Sequence, residues 1–371
     1  MGAIRVLVVD DSYFMRQAIS KIISVDGIEV IGEARNGKEA IEKVKELDPD
    51  LVTLDIEMPV MNGLQALEII MKEHPVAVLM VSTLTSEGAE ATIDAISLGA
   101  IDFITKRAAF KEMDSIRDEL ISKVKEVGGS QSLKRQMIRK RLLGKSISKD
   151  KQKQPASRPK VSATASAKAT NVSGRRRPSP SDIHIVAIGT STGGPPALQN
   201  VLCQLPADFP VPIVVVQHMP PFFTKTLSIR LDKICKLTVK EAETQDELLP
   251  GKVFIAPGGK QMLINKLKKI IISDNPKNEL YKPSVNVLFD SVFEIYNSKA
   301  LGVIMTGMGH DGTEGLNKLF NAGAYVLAQS VDTCVVGGMP KTAIAAGVVD
   351  EIYPLGELAG QIALCLGKKI H

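Results

Sequence analysis

No apolar run in this 371-residue chain approaches the ~18 residues that a membrane-spanning helix needs. The N-terminal MGAIRVLVVDD passes from a short apolar segment straight into two aspartates, which is not the pattern of a signal peptide. Val6 also breaks the pattern for myristoylation. The four cysteines, Cys203, Cys235, Cys334 and Cys365, include no CxxC pair, which argues against a zinc site or a disulfide framework. The P-loop pattern G-x-x-x-x-G-K-[ST] is missing, and so is a helix-turn-helix pattern. The expectation is a cytoplasmic protein that enters no membrane and binds no nucleic acid.

The net charge of +5 bears on that last point only once it is located. Residues 131–181 hold 15 basic residues and one acidic one, a net +14, while the remainder holds 31 basic and 40 acidic, a net −9. The basic stretch is rich in Ser, Ala, Gln and Pro, without sustained hydrophobic periodicity, so it buries too little apolar area to offset its chain entropy. Residues 128–181 are therefore expected to be a flexible, solvated linker spanning roughly 40 Å by coil statistics. It separates an N-terminal domain, 1–127, from a C-terminal domain, 182–371.

In the first domain, apolar runs at Ile4–Val9, Glu29–Ala34, Leu51–Leu54, Ala77–Val81 and Ile101–Ile104 alternate with five segments of helical period. Continuous apolar strands separated by helices predict a parallel sheet covered on both faces, with ligands at the carboxyl ends of its strands. Asp10, Asp11, Asp55, Ser82, Thr83 and Lys106 all fall at those ends. Three carboxylates together need a cation, and an all-oxygen site with few protein ligands suits Mg²⁺. Beside such a cation Asp55 could attack a phosphoryl donor, with Ser82 and Lys106 holding the resulting acyl phosphate.

VLVVDDS, LVTLDIEMPVMNG, VLMVST and GAIDFITK resemble a response-regulator receiver domain over its whole length. The resemblance implies a flavodoxin-like fold with Asp55 as phospho-acceptor. Asp10, Asp11, Asp55 and the backbone carbonyl of Glu57 would be Mg²⁺ ligands, Ser82 the switch hydroxyl, Phe103 the aromatic that reports the state, and Lys106 the phosphate partner. Two residues depart from the pattern. Asn62 stands where the family has Asp, and Arg107 where it has Pro, which leaves the geometry of the loop after the fifth strand open.

The second domain repeats the strand pattern in IHIVAIG, VPIVVVQHM, KVFIAPGG, ALGVIMTGMG and AYVLAQ, again a doubly wound α/β arrangement. Gly189-Thr190-Ser191-Thr192-Gly193 satisfies G-x-S-x-G, a nucleophile at a strand-to-helix turn. A Ser or Thr helix cap followed by proline, or a phosphate-cradling loop, accounts for the same residues. Among the five histidines, His218 ends an apolar strand at the edge where Ser191 lies, so it is the best base. His310 sits beside Asp311 in a glycine-rich loop, where it could compete with His218 for that carboxylate. Ser191, His218 and Asp311 supply nucleophile, base and orienting acid from three strand ends. Their chain order, Ser–His–Asp, differs from the Ser–Asp–His order of α/β-hydrolases.

GTSTGG, VVVQHMPP, IAPGG, MTGMGHDG and VVGGMPKTAIAAG resemble the catalytic domain of chemotaxis protein-glutamate methylesterases. The resemblance implies a Rossmann-like domain with Ser191 as nucleophile, His218 as base and acid, and Asp311 as orienter. Thr192 and the backbone N–H of Met308 would support the oxyanion, and no cofactor is needed. It further implies a phosphorylation-activated demethylase and glutamine deamidase, inhibited by its unphosphorylated receiver. Its partners would be methylated chemoreceptors and a chemotaxis histidine kinase, with a monomer expected. Thr190 and His310 depart from the pattern, where Ala or Ser and Asn are common.

Overall fold

The computed structural model describes residues 2–106, 113–130 and 170–370. Arg107 and most of the expected linker lie outside them. The chain divides into two units, Met1–Lys168 and Ala169–His371.

In the first unit five strands and five helices alternate: β1 Ile4–Val9, α1 Tyr13–Ile23, β2 Ile28–Ala34, α2 Gly37–Leu47, β3 Leu51–Asp55, α3 Gly63–Glu73, β4 Ala77–Thr83, α4 Ser86–Leu98, β5 Asp102–Lys106 and α5 Met113–Gly129. All pairings in the sheet are parallel, in the order β2-β1-β3-β4-β5. Every residue of β3 is buried, as a central parallel strand with two covered faces requires. Ser12, Asn36, Asn62 and Thr85 each accept a backbone N–H of the first turn of α1 to α4, which fixes where those helices begin. The chain leaves β1 for β2 on one side and reaches β3 on the other. That reversal opens a crevice between the carboxyl ends of β1 and β3.

The second unit contains β6 Thr170–Asn171, β7 Ile185–Thr190, α6 Gly194–Leu202, β8 Ile213–Gln217, α7 Phe223–Ile234, β9 Thr238–Glu241, β10 Lys252–Ile255, β11 Gln261–Ile264, β12 Ile270–Ser273, α8 Val285–Tyr296, β13 Ala300–Ile304, α9 Thr313–Asn321, β14 Tyr325–Gln329, α10 Gly338–Ala345, β15 Glu351–Tyr353 and α11 Leu355–Cys365. Its eight-stranded sheet has the order β6-β15-β14-β13-β7-β8-β10-β9, and only the β6–β15 pair is antiparallel. β11 and β12 form a separate hairpin. β7 lies between β8 and β13, so the sheet again reverses its winding there. Val285, Leu288, Phe289 and Val292 of α8 are buried in the core beside this centre.

The linker expected to run to residue 181 ends earlier. Thr170 and Asn171 pair with β15, and Arg175 binds Asp350 through Nε to Oδ1 at 2.6 Å and Nη2 to Oδ2 at 2.5 Å. The Arg175 guanidinium lies 3.8 Å over the Phe320 ring and also donates to the carbonyls of Phe320 and Ala324. Arg177 reaches Glu351, Tyr353 and Gln361. A basic run that meets fixed carboxylates is a clamp rather than a tether, and composition alone does not distinguish the two. The cysteines are likewise less scattered in space than in sequence. Cys203 and Cys235 are free thiols whose sulfurs lie 2.6 Å apart, at the ends of α6 and α7. No helix among the described residues is long and apolar enough to cross a membrane.

Candidate functional site

In the first unit, Asp10 follows β1 and Asp55 ends β3, one on each side of the crevice. Lys106, ending β5, bridges them, with its Nζ 2.9 Å from Asp10 Oδ2 and 2.8 Å from Asp55 Oδ2. Burial pushes the Asp55 carboxyl up to about 6, with Asp10 adding to the rise and Lys106 and the Ile56 N–H opposing it. The same two carboxylates hold the Lys106 ammonium above its ordinary range, against the effect of its burial. Asp11 is exposed, and ligand atoms of Asp10, Asp11 and Asp55 lie within 4.8 Å of one another. Three hard carboxylate donors at that spacing fit Mg²⁺, which takes oxygen ligands at ~2.1 Å and keeps several waters.

Ser82 is buried one strand away, where its hydroxyl donates to the Gly88 carbonyl at 3.0 Å. Phe103 is buried in β5. Beneath it lies Lys123 of α5, a residue the sequence reading did not single out. Its ammonium donates to the Phe103 carbonyl at 2.6 Å, sits 5.4 Å from the ring centroid and pairs with Asp102 at 3.1 Å. Asn62 forms a reciprocal capping box with Gln65, so Asn in place of Asp still starts α3. Glu57 is exposed immediately beyond Asp55 and Ile56.

In the second unit, Ser191, His218 and Asp311 follow β7, β8 and β13, which are adjacent strands. The Ser191 N–H donates to the Thr306 carbonyl at 3.0 Å, and the His218 N–H donates to the Thr190 carbonyl at 3.1 Å. The nucleophile candidate is thus fastened to the strand ends on both sides. Ser191 and Thr192 are not helix caps, because the N-cap of α6 is Gly193 and no side chain caps that end. The hydroxyl of Thr190, a departure noted above, is buried and donates to the Thr306 carbonyl at 2.8 Å. It ties the turn after β7 to the turn after β13.

Glycines bring the turns close enough to converge. A Cβ on Gly194 would lie 1.8 Å from Gln217 Oε1, and one on Gly307 would lie 2.9 Å from Ser191 Cβ and 2.1 Å from Met339 Sδ. Gln217 was absent from the sequence reading. Its Nε2 donates to the carbonyls of Ser191 at 2.9 Å and His218 at 3.1 Å, linking the two residues through their backbones. The VVGGMP segment braces the turn that carries Met308. Gly307 N–H donates to the Val336 carbonyl at 2.9 Å, and Met339 N–H to the Gly307 carbonyl at 3.0 Å.

Asp311 receives four hydrogen bonds. Its Oδ2 accepts from His218 Nε2 at 2.8 Å and from Val285 N–H at 2.7 Å, while Oδ1 accepts from Asn286 N–H at 2.9 Å and Ser284 Oγ at 3.1 Å. Three of these donors belong to the N-terminus of α8, where free N–H groups and the helix dipole favour an anion. Burial alone would raise the Asp311 carboxyl. The bonds from His218, Asn286 and Val285 outweigh it and hold the group below its ordinary range. His310 is exposed and is none of the four donors. The ring of Tyr281 stacks on His218 with centroids 4.2 Å apart and planes 9° from parallel.

A buried carboxylate, an imidazole bonded to it and a serine at a strand-to-helix turn form a constellation suited to acyl transfer. The CheB methylesterase family matches residues 186–362, and the response regulator receiver domain family matches residues 6–117. A protein-glutamate methylesterase/protein-glutamine glutaminase 1 of Oleidesulfovibrio alaskensis is 45% identical, over 97% of this chain and 98% of its own length. A protein-glutamate methylesterase/protein-glutamine glutaminase of Geobacillus kaustophilus is 44% identical, over 99% of this chain and all of its own length. The crystal structure of the Thermotoga maritima CheB methylesterase catalytic domain is 45% identical, with a TM-score of 0.47, covering 48% of this chain and 97% of that one. With relatives of this identity matched from end to end, the chain belongs to the CheB family, a receiver domain joined to a methylesterase domain.

Proposed function

We propose that this chain hydrolyses glutamate methyl esters on chemoreceptors, and deamidates receptor glutamines, by an acyl-enzyme route at Ser191. The observation that carries the reading is the bond from His218 Nε2, at the end of a strand next to that of Ser191, to Asp311 in the loop after the strand on its other side. Asp311 occupies Nε2, and His218 Nδ1 is buried with no hydrogen-bond partner. Nδ1 is therefore the base atom. It takes the Ser191 proton as Oγ attacks the side-chain acyl carbon of the substrate. The developing oxyanion is supported at Thr192 and the backbone N–H of Met308. The imidazolium gives its proton to departing methanol, or to ammonia when the substrate is glutamine. Water then attacks the acyl-enzyme, loses a proton to Nδ1, and Ser191 regains its own.

The receiver sets the rate. Asp55 accepts a phosphoryl group from a histidine kinase, Ser82 and Lys106 hold it, and Phe103 reports the change. Asp10, Asp11, Asp55 and the Glu57 carbonyl would hold Mg²⁺, which would supply neutralising charge there. The unphosphorylated receiver blocks receptor access, so phosphorylation shifts a population rather than altering the chemistry at Ser191.

The test is demethylation of methylated receptor by the full chain, with and without a small acyl phosphate as phosphodonor. Ser191→Ala removes activity in both conditions, and Asp55→Asn removes only the stimulation. Activity within about tenfold of wild type in Ser191→Ala would sink the nucleophile assignment, because losing a triad member costs far more.

A further inference from the structure

We propose that Tyr281 is a positioning residue for the base, holding the imidazole plane of His218 by a face-to-face stack. The proposal rests on the reading of His218 as the base given above. One in-plane bond, from Nε2 to Asp311 at 2.8 Å, fixes one atom of the imidazole. The ring still tilts about the line from its Cβ attachment through that atom, and such a tilt carries Nδ1 out of line with Ser191. An aromatic plane 4.2 Å away and within 9° of parallel opposes that motion, which the carboxylate alone does not.

The surroundings of Tyr281 are built to hold it. Gln261 is fully buried, and its Nε2 donates to the Tyr281 carbonyl at 2.9 Å while its Oε1 accepts the Ser284 N–H at 2.8 Å. Gly259 N–H donates to the Lys282 carbonyl at 3.0 Å, fastening the backbone between them. Ser284 then caps α8 and donates to Asp311. One short segment, 281–284, thus presents a ring to the face of His218 and a hydroxyl to the carboxylate at its edge. The far end of the tyrosine lies over the turn after β13, where a Cβ on Gly309 would be 3.5 Å from its Oη.

The stack needs the ring rather than the hydroxyl, which defines the experiment. In the full chain, kcat is measured per active site, counted by end-point labelling of Ser191 with an organophosphorus probe, so that unfolded protein does not enter. Tyr281→Leu and Tyr281→Ala lower kcat about tenfold or more with KM within about twofold, as expected when a reacting group loses alignment. Tyr281→Phe stays within about twofold of wild type. The proposal is overturned if the non-aromatic variants keep wild-type kcat, if they change KM alone, or if Tyr281→Phe is as impaired as they are. Ser191→Ala, assayed alongside, separates the two ideas. If it stays active the acyl-enzyme reading fails, whereas an inactive Ser191→Ala with an unimpaired Tyr281→Leu removes the stack alone.

Discussion

His218 presents Nε2, not Nδ1, to Asp311, at 2.8 Å. The partner of that bond is an anion that the N-terminus of α8 also holds, so the imidazole and the helix start together keep the carboxylate charged against its burial. It can therefore orient a neutral ring and stabilise a protonated one without moving. Asp311→Asn is expected to lower kcat about 10³-fold or more, as loss of an orienting carboxylate does. His310→Ala, at an exposed position outside this network, should remain within about twofold. Steady-state demethylation assays of the two variants check the pair, and equal losses would contradict the assignment.

Gln217 links Ser191 and His218 through their carbonyls. Replacing it with Leu keeps the volume and removes both donors. The expected result is a kcat lower by roughly ten- to a hundredfold with little change in melting temperature, because small misplacements of reacting groups have effects of that size. Activity equal to wild type would show that the turns hold their geometry without it.

The acidic crevice of the receiver is strained in its charged form. The Asp55 carboxyl is raised from an ordinary value of 3.8 to about 6, so its ionisation opposes folding. The stability that the neutral carboxyl retains is fully present below pH 3.8 and is lost as the pH rises through about 6. In the presence of a chelator, Asp55→Asn should stabilise the receiver at pH 7, on the order of 1–3 kcal/mol, and roughly half as much at pH 5. Thermal melts at the two pH values check this. Mg²⁺ should stabilise wild type at pH 7 and have a much weaker effect on the variant, since a ligand that binds only the folded state stabilises it by mass action.

Arg175 carries a different weight from the other basic residues of its stretch. Arg175→Ala leaves Asp350, a fully buried carboxylate, without the guanidinium that neutralises it. Breaking a buried pair in this way typically destabilises by about 3–5 kcal/mol, and the one-third exposure of Arg175 places the expected loss near the lower end, ~3 kcal/mol. Urea denaturation followed by a signal from the second unit measures it. A fragment beginning at Asp182 should likewise be less stable than one beginning at Ala169, and equal midpoints would show that β6 and the clamp contribute nothing.

Sequence reading brought the candidate residues to one edge of each sheet because strand ends are marked by abrupt changes of composition. A run such as VLVV or VPIVVV ends where a polar residue first appears, and in a parallel sheet those residues share one edge. Asp10, Asp55, Ser82 and Lys106 in the first unit, and Ser191 and His218 in the second, were legible for that reason. β6, β9, β11, β12 and β15 were not, being two to four residues long and lacking a clear apolar period. Tyr281, Gln217, Gln261 and Lys123 carried no signal either. Their roles arise from contacts between segments distant in the chain, and no local pattern encodes such a contact.

The sequence by itself determined two parallel α/β units, the carboxylate cluster of the first and the three chemical parts of the second. Only the tertiary structure decided that Asp311 is bonded to His218 and not to His310, because the carboxylate faces the start of α8 and not its own chain neighbour. Only it decided which basic residues belong to a folded domain. A charge acquires structural meaning from its partner, and Asp350 lies 175 residues from Arg175 in the chain.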